Sequence, residues 1–460
     1  MVISPMFFRM TLICGKLGRM PMPPNTNALV TNWIHAHADD LVASLAELVR
    51  IPSVVGLEAD AQTWMTQHYA ALGLDLDVFQ PDKAALLNHP AFVDSEISFE
   101  GRNNVIGTLK GRGGGRSLIL NGHVDVVSAE PAGAWTRAPF GAAIEYAASS
   151  GPHAYVGARM YGRGTMDMKS GVVANLFAAR ALKECGIPLR ADLILQSVIE
   201  EEAGGGGGTL ACFARGYRAD GLIATEPHWI DVTIAHPGIL YFRVTVEGRS
   251  AHAGRAHKGV NAAVEAAPII AMFGAWDLER AETLHVELLE RPDPAARRSC
   301  HLNVGVVRAG DWPSTVPGRC VIEVRMSFVP GETEAKIRSE IERRVAEVAS
   351  HSAWLSAHPP QVDYFGWHAE PWLQDEAHPF VQDFLRVVRA ARDSEFGDPL
   401  PLAMGNTSGL DTRFAAFYGM PALAFGPKGA NLHGADEYVE LDTVVETARL
   451  LALFAAEWCA

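Results

Sequence analysis

Apolar side chains fall at helical spacing from about Ala28 onward. Through LVASLAELVRIPSV they bring Leu41, Leu45, Leu48 and Val49 onto one face, the pattern of an amphipathic helix. Between Pro81 and Arg102 the pattern turns polar and is broken by prolines, so the segment reads as an inserted loop. NNVIGTLKGRGGGRSLILNGHVDVV then predicts a strand, a glycine-rich turn and a second buried strand ending on His123. GTMDMKSGVVANLFAARALKECG opens as a loop and becomes a helix stopping at Gly186. ADLILQSVIEEEAGGGGGT is another apolar strand running into glycines. Strands alternating with helices, with polar residues gathered where strands end, predict a parallel α/β sheet. Its site would lie at the strand C-termini.

The texture changes after Glu226. ILYFRVTVEGRSAHAG, CHLNVGVVRAG and RCVIEVRMSF alternate like half-exposed strands, whereas NAAVEAAPIIAMFGAWDL and ETEAKIRSEIERRVAEVAS are helical. This β-α-β-β-α order predicts an inserted α+β two-layer sandwich. Near residue 360 the first texture returns, with PALAFGP as a strand and TVVETARLLALFAAEW as a closing helix. The expected division is a leader over 1–27, a first segment of the larger domain over 28–235, the inserted domain over 236–358 and a second segment of the larger domain over 359–460. The leader has short apolar patches interrupted by Arg9 and Lys16 and no long export-type apolar core. It is expected to be disordered, or to precede a true start at Met20 or Met22.

A chain of 460 residues exceeds what one core usually serves, which agrees with two domains. A net charge of −14 argues against a nucleic-acid partner, since phosphate binding needs a basic face. No apolar run reaches the ~18–20 residues of a membrane span. Cys14, Cys185, Cys212, Cys300, Cys320 and Cys459 lie far apart with no CxxC pair, as expected of reduced thiols in a cytoplasm.

Acids and histidines cluster at strand ends: His123 and Asp125, Glu200 to Glu202, Glu226, and His433 in the loop after ALAFGP, with Asp167 in the loop YGRGTMDMKSG. A buried glutamate triplet is costly unless cations or hydrogen bonds compensate it. Imidazole with carboxylates suits zinc, manganese or cobalt. Each position alone is unremarkable, and their combination is what carries the reading.

In NGHVDVV, WTRAPF, YGRGTMDMKSG, EEEAGGGGGT, ATEP, SAHAGRAHKGVNAA and GPKGANLHGADEYVE, taken in that order, the chain resembles one family. It is that of acetylornithine deacetylase, succinyl-diaminopimelate desuccinylase, carboxypeptidase G and aminoacylase, the dinuclear zinc hydrolases. The resemblance covers nearly everything from about residue 40 onward. It implies two zinc ions per subunit, replaceable by cobalt or manganese, with Asp167 bridging them. His123 and Glu226 would complete one site, and Glu202 and His433 the other. Asp125 would accept the second ring N–H of His123, and Glu201 would be the general base. The resemblance further implies a cis peptide after Asp167 and an oxyanion donor in His252, supplied in many relatives by a dimer partner. Arg325 would bind a substrate carboxylate, with Asn261 and Gly409 touching substrate. The resemblance also implies that the larger domain is catalytic, built on a mixed, mostly parallel sheet flanked by helices, and that the inserted domain is a lid forming a homodimer.

The implied activity is hydrolysis of an N-acyl amino acid or short peptide at its amide bond. Ser314 stands where relatives often carry asparagine, and Pro237 where desuccinylases carry arginine; both weaken a succinyl-diaminopimelate assignment. The 81–102 insertion and WPSTVP favour an acetylornithine deacetylase-like deacylase. A dipeptidase or carboxypeptidase, and an N-formyl, N-carbamoyl or N-succinyl hydrolase, are the alternatives within the class. A non-catalytic ligand-binding homologue is the remote one, since the base and all five metal positions are filled.

Overall fold

In a computed structural model, which describes residues 25–147, 155–228, 230–391 and 401–460, the first helical pattern forms two helices, Thr26–Ala36 and Ala38–Val49. Leu41, Leu45, Leu48 and Val49 are buried on one face, as their spacing requires. Of the leader expected over 1–27, residues 1–24 lie outside the described residues, as does Cys14, while Thr26 and Asn27 already belong to the first helix; the other five cysteines are free thiols.

The larger sheet has nine strands among the described residues. Along its central path run Leu193–Val198, Leu118–His123, Leu222–Ala224 and Ala422–Ala424, each parallel to its neighbour. The flanks are antiparallel: Asp75–Phe79 and Asn104–Leu109 on one side, Val232–His236 and Trp372–Leu373 on the other. The sheet is therefore mixed, with its parallel run concentrated in the centre. Alternate residues feed two cores. Leu118, Leu120 and Ile223 pack under helices Ser170–Glu184 and Leu441–Trp458, while Ile119, Ile194 and Leu222 pack with Phe213 and Phe414. Phe92 and Phe99 of the insertion join that second core, so the polar segment is anchored by two aromatic side chains.

The lid is a four-stranded antiparallel sheet in the order Leu302–Ala309, Arg319–Phe328, Gly238–Glu247, Gln361–Ala369. Helices Ala262–Thr283 and Glu334–Ser350 cover one face through Leu240, Phe242, Ile322, Val324, Phe273 and Ile341. Tyr241 and Arg325, paired across two strands, point from the other face. The fourth strand carries the lid to Ala369, past the end expected at residue 358. Pro359 and Pro360 disguise its start, because proline pairs read as a boundary. Among the described residues no helix is long and apolar enough to cross a membrane.

Candidate metal centre

Four adjacent parallel strands open their C-terminal ends along one edge of the sheet. His123 ends the first of them in sequence, Glu200 to Glu202 follow Leu193–Val198, and Glu226 lies just beyond Leu222–Ala224. The loop after Ala422–Ala424 leads to His433. Asp167 arrives from the turn before helix Ser170–Glu184, and its peptide bond to Met168 is cis, as the resemblance implied. The glycine run after Glu202 is a packing requirement. A Cβ on Gly208 would lie 2.1 Å from the Ile199 carbonyl oxygen, and one on Gly204, at φ +111°, would meet the Trp367 ring. Glu200 and His433 themselves adopt left-handed backbone, at φ +68° and +58°, which costs roughly 1–2 kcal/mol each for a residue with a Cβ.

Asp167 faces two imidazoles with two different oxygens. Its Oδ1 is 3.2 Å from His123 Nε2 and its Oδ2 is 3.2 Å from His433 Nε2. On the first side, Glu226 and Glu201 approach His123 Nε2 to 3.8 and 3.9 Å. On the second, Glu202 is 3.1 Å from His433 Nε2. Ligand atoms of His123, Glu201 and Glu226 lie within 4.8 Å of one another, and so do those of His123, Asp167 and Glu202.

This much buried negative charge distorts protonation. Burial opposes a proton on His123, yet Asp125, Asp167 and Glu226 hold its pKa well above the usual imidazole range. Hydrogen bonds to Asp167 and Glu202 lift His433 to about 10. Burial would raise Asp167, but hydrogen bonds from the two histidines keep it well below the usual carboxylate range. Burial, then the charge of Asp167, pushes Glu202 up to about 7; burial drives Glu201 and Glu226 well above the carboxylate range. Protons stand here where divalent cations would fit. Glu202 Oε1 and Asp125 Oδ1, both buried, have no hydrogen-bond partner, and the donor set is imidazole and carboxylate throughout.

The cluster forms part of the lining of a cavity of about 860 Å³ that reaches the lid. Tyr241, Phe365, Trp367 and Arg325 come from the lid face, Val93 to Ile97 from the insertion, and Asn406 to Leu410 from a further loop. Arg325 and Gly409, both expected to meet substrate, are therefore on its wall. Asp125 meets His123 Nδ1 chiefly through its main-chain carbonyl, at 2.9 Å, with the carboxylate at 3.5 Å. Its Oδ2 instead accepts the Glu202 N–H at 3.0 Å.

Two expectations are not met within one chain. Asn261 does not line the cavity and caps helix Ala262–Thr283, its Oδ1 accepting from Ala263 and Val264. His252 is exposed, does not line the cavity, and accepts the Gly254 N–H through Nδ1. Trp367, Arg163 and Glu437 belong to the surroundings of the site and were not singled out from the sequence. Glu437 carried a faint signal, as an acid four residues beyond His433 ahead of a strand.

A metal-dependent hydrolase is the class this fold and acid–imidazole cluster define. The model of peptidase family M20/M25/M40 matches residues 119–457, and the chain belongs to that family. It is similar to N-formyl-4-amino-5-aminomethyl-2-methylpyrimidine deformylase of Halalkalibacterium halodurans, 27% identical over 92% of this chain and 96% of that protein. It is also similar to succinyl-diaminopimelate desuccinylase of Cereibacter sphaeroides, 26% identical over 87% and 94%. Among solved structures it resembles the Bacillus subtilis YXEP protein, a dinuclear metal binding peptidase of the M20 family. There the TM-score is 0.59 and the identity 13%, over 92% of this chain and 98% of that one. The chain is an amidohydrolase of this family, acting on carbon–nitrogen bonds.

Proposed function

We propose that this chain removes a short acyl group, formyl foremost, from a small N-acylated amine. The observation that carries the reading is the split of Asp167 between two imidazoles, each with its own glutamate, beside a cavity with an aromatic wall. Tyr241, Phe365 and Trp367 suit a planar amine component such as the aminomethylpyrimidine named for the Halalkalibacterium relative. Arg325 on the same wall favours a second reading, an N-acyl amino acid whose carboxylate it would clamp.

His123 and Glu226 would hold one cation and Glu202 and His433 the other, with Asp167 shared. Two such ions, zinc first with cobalt or manganese as substitutes, supply Lewis acidity towards the amide oxygen and acidify the attacking water. The Asp125 carbonyl holds a proton on His123 Nδ1, which leaves the Nε2 lone pair facing the cluster. Glu201 takes the water proton as the C–O bond forms and passes it to the leaving nitrogen as the C–N bond breaks. The products are the free amine and the carboxylic acid.

His252 would complete the site from a second copy, supplying the oxyanion donor. An exposed apolar stripe on helix Ala262–Thr283, through Val264, Ala267, Ala271, Ala275 and Leu278, supports a homodimer through the lid. The test is a panel of N-formyl, N-acetyl and N-succinyl amines and amino acids with dipeptides, run on protein loaded with zinc or cobalt. Hydrolysis led by the formyl aminomethylpyrimidine is expected. Absence of turnover across the panel with both metals bound would remove the reading.

A further inference from the structure

The chain folds Asp167 and His433 together from distant positions, and no direct covalent or strand contact holds those two residues to each other. What joins their loops is a buried ion pair behind the site. Glu437, with no exposed surface, accepts four hydrogen bonds. Its Oε1 takes the N–H groups of Met166 at 2.9 Å and Asp167 at 3.1 Å. Its Oε2 takes the Gly164 N–H at 3.1 Å and one arm of Arg163. The other arm of Arg163 donates to the carbonyl of His433 at 3.0 Å and of Ser128 at 3.3 Å. The pair continues an antiparallel strand pairing, Tyr438–Glu440 against Arg159–Tyr161, so its base is fixed in a small sheet.

We propose that Arg163 and Glu437 are positioning residues that set the separation of Asp167 from His433, and through it the affinity of the second metal site. Neither side chain lines the cavity, so neither meets substrate. Glu437 fixes the backbone that aims the Asp167 carboxylate. Arg163 fixes the His433 backbone, which is left-handed and does not hold that shape by its own preference. The planar guanidinium reaches Glu437 with one arm and two carbonyls with the other, whereas an ammonium presents its three donors from a single point and does not span both sides. The inference rests on the dinuclear reading of the site and concerns the chain's own residues.

The test uses metal-free full-length protein titrated with Co²⁺, read by calorimetry and by the visible absorption of the bound ion. Arg163→Lys keeps a positive charge for Glu437 but loses the fork. Its second Co²⁺ is expected to bind about 10–100-fold more weakly, with the first unchanged. Glu437→Gln, which keeps an acceptor for Met166 and Asp167, should weaken the second ion in the same way. Unaltered second-site affinity in Arg163→Lys would mean that charge alone suffices and overturns the proposal. So would both affinities falling together, or loss of the apo fold in both variants, since the pair would then be part of the general framework. Wild-type protein that binds fewer than two ions would instead defeat the dinuclear reading itself.

Discussion

Arg102 offers a test of how the insertion supports the catalytic strand end. Its Nε and Nη2 fork onto Glu58 at 2.7 and 2.6 Å, and its Nη1 lies 3.5 Å from Glu200. All three side chains are almost fully buried. Arg102→Met keeps the stem and strands two carboxylates, a change that costs about 3–5 kcal/mol where a buried pair is broken. In a body of roughly 300 residues that corresponds to a fall in Tm of roughly 5–8 °C. The pH dependence gives the sharper check. Burial raises Glu200 to about 7 from its ordinary 4.5. A raised carboxyl contributes stability below its unfolded pKa and loses it as pH climbs through the folded value. Without Arg102 the folded pKa rises further, each unit adding about 1.4 kcal/mol of penalty at alkaline pH. The deficit of Arg102→Met should therefore be larger at pH 8 than at pH 5, where Glu200 is protonated in both proteins. Scanning calorimetry of the metal-free proteins at both pH values measures it. A deficit that grows on acidification, or one below about 1 kcal/mol at pH 8, would refute the reasoning.

Glu201→Gln is expected to lower kcat by about 10²–10⁴-fold while bound metal stays at the wild-type stoichiometry, checked by steady-state kinetics beside elemental analysis. Metal uptake should release protons, because His433 near 10 and Glu202 near 7 carry them in the empty site and the ions require both deprotonated. Affinity is accordingly expected to rise with pH between 6 and 8, and calorimetry in buffers of different ionisation enthalpy counts the protons. Gly208→Ala should destabilise the apo-protein by about 2 kcal/mol or more, since its Cβ would sit 2.1 Å from a backbone oxygen that cannot yield; thermal melts read this. His252→Ala should depress kcat more than it raises KM, and mixing it with Glu201→Ala subunits should restore activity if the histidine crosses between copies.

The strand ends that carry the acid–imidazole cluster were legible because each joins an apolar run to an acid or histidine, a junction a solvated strand does not need. Their adjacency was not, since pairing order leaves no local mark: Leu222–Ala224 and Ala422–Ala424 are neighbours two hundred residues apart. An arginine on an alternating strand has no face fixed by its own identity, and it is the packing of its neighbours against the lid helices that turns Arg325 to the cavity. Asn261 has a second role that its position before a helical run also allows, since its side chain caps the following helix. Trp367 was invisible as one of ten tryptophans, its place set by two glycines in other segments, Gly204 and Gly409.

The shared position of Asp167 has a consequence for how the protein is made. A growing chain emerging from the ribosome presents His123, Asp167 and Glu226 before any lid strand exists, whereas His433 follows only after the lid has been completed. The residues proposed for the first site are thus all made before the lid, whereas the second lacks His433 until near the end of synthesis. A nascent chain stalled before His433 would lack both that histidine and Glu437, which holds the Asp167 backbone, so the complete ligand set exists only once the C-terminal segment has been made.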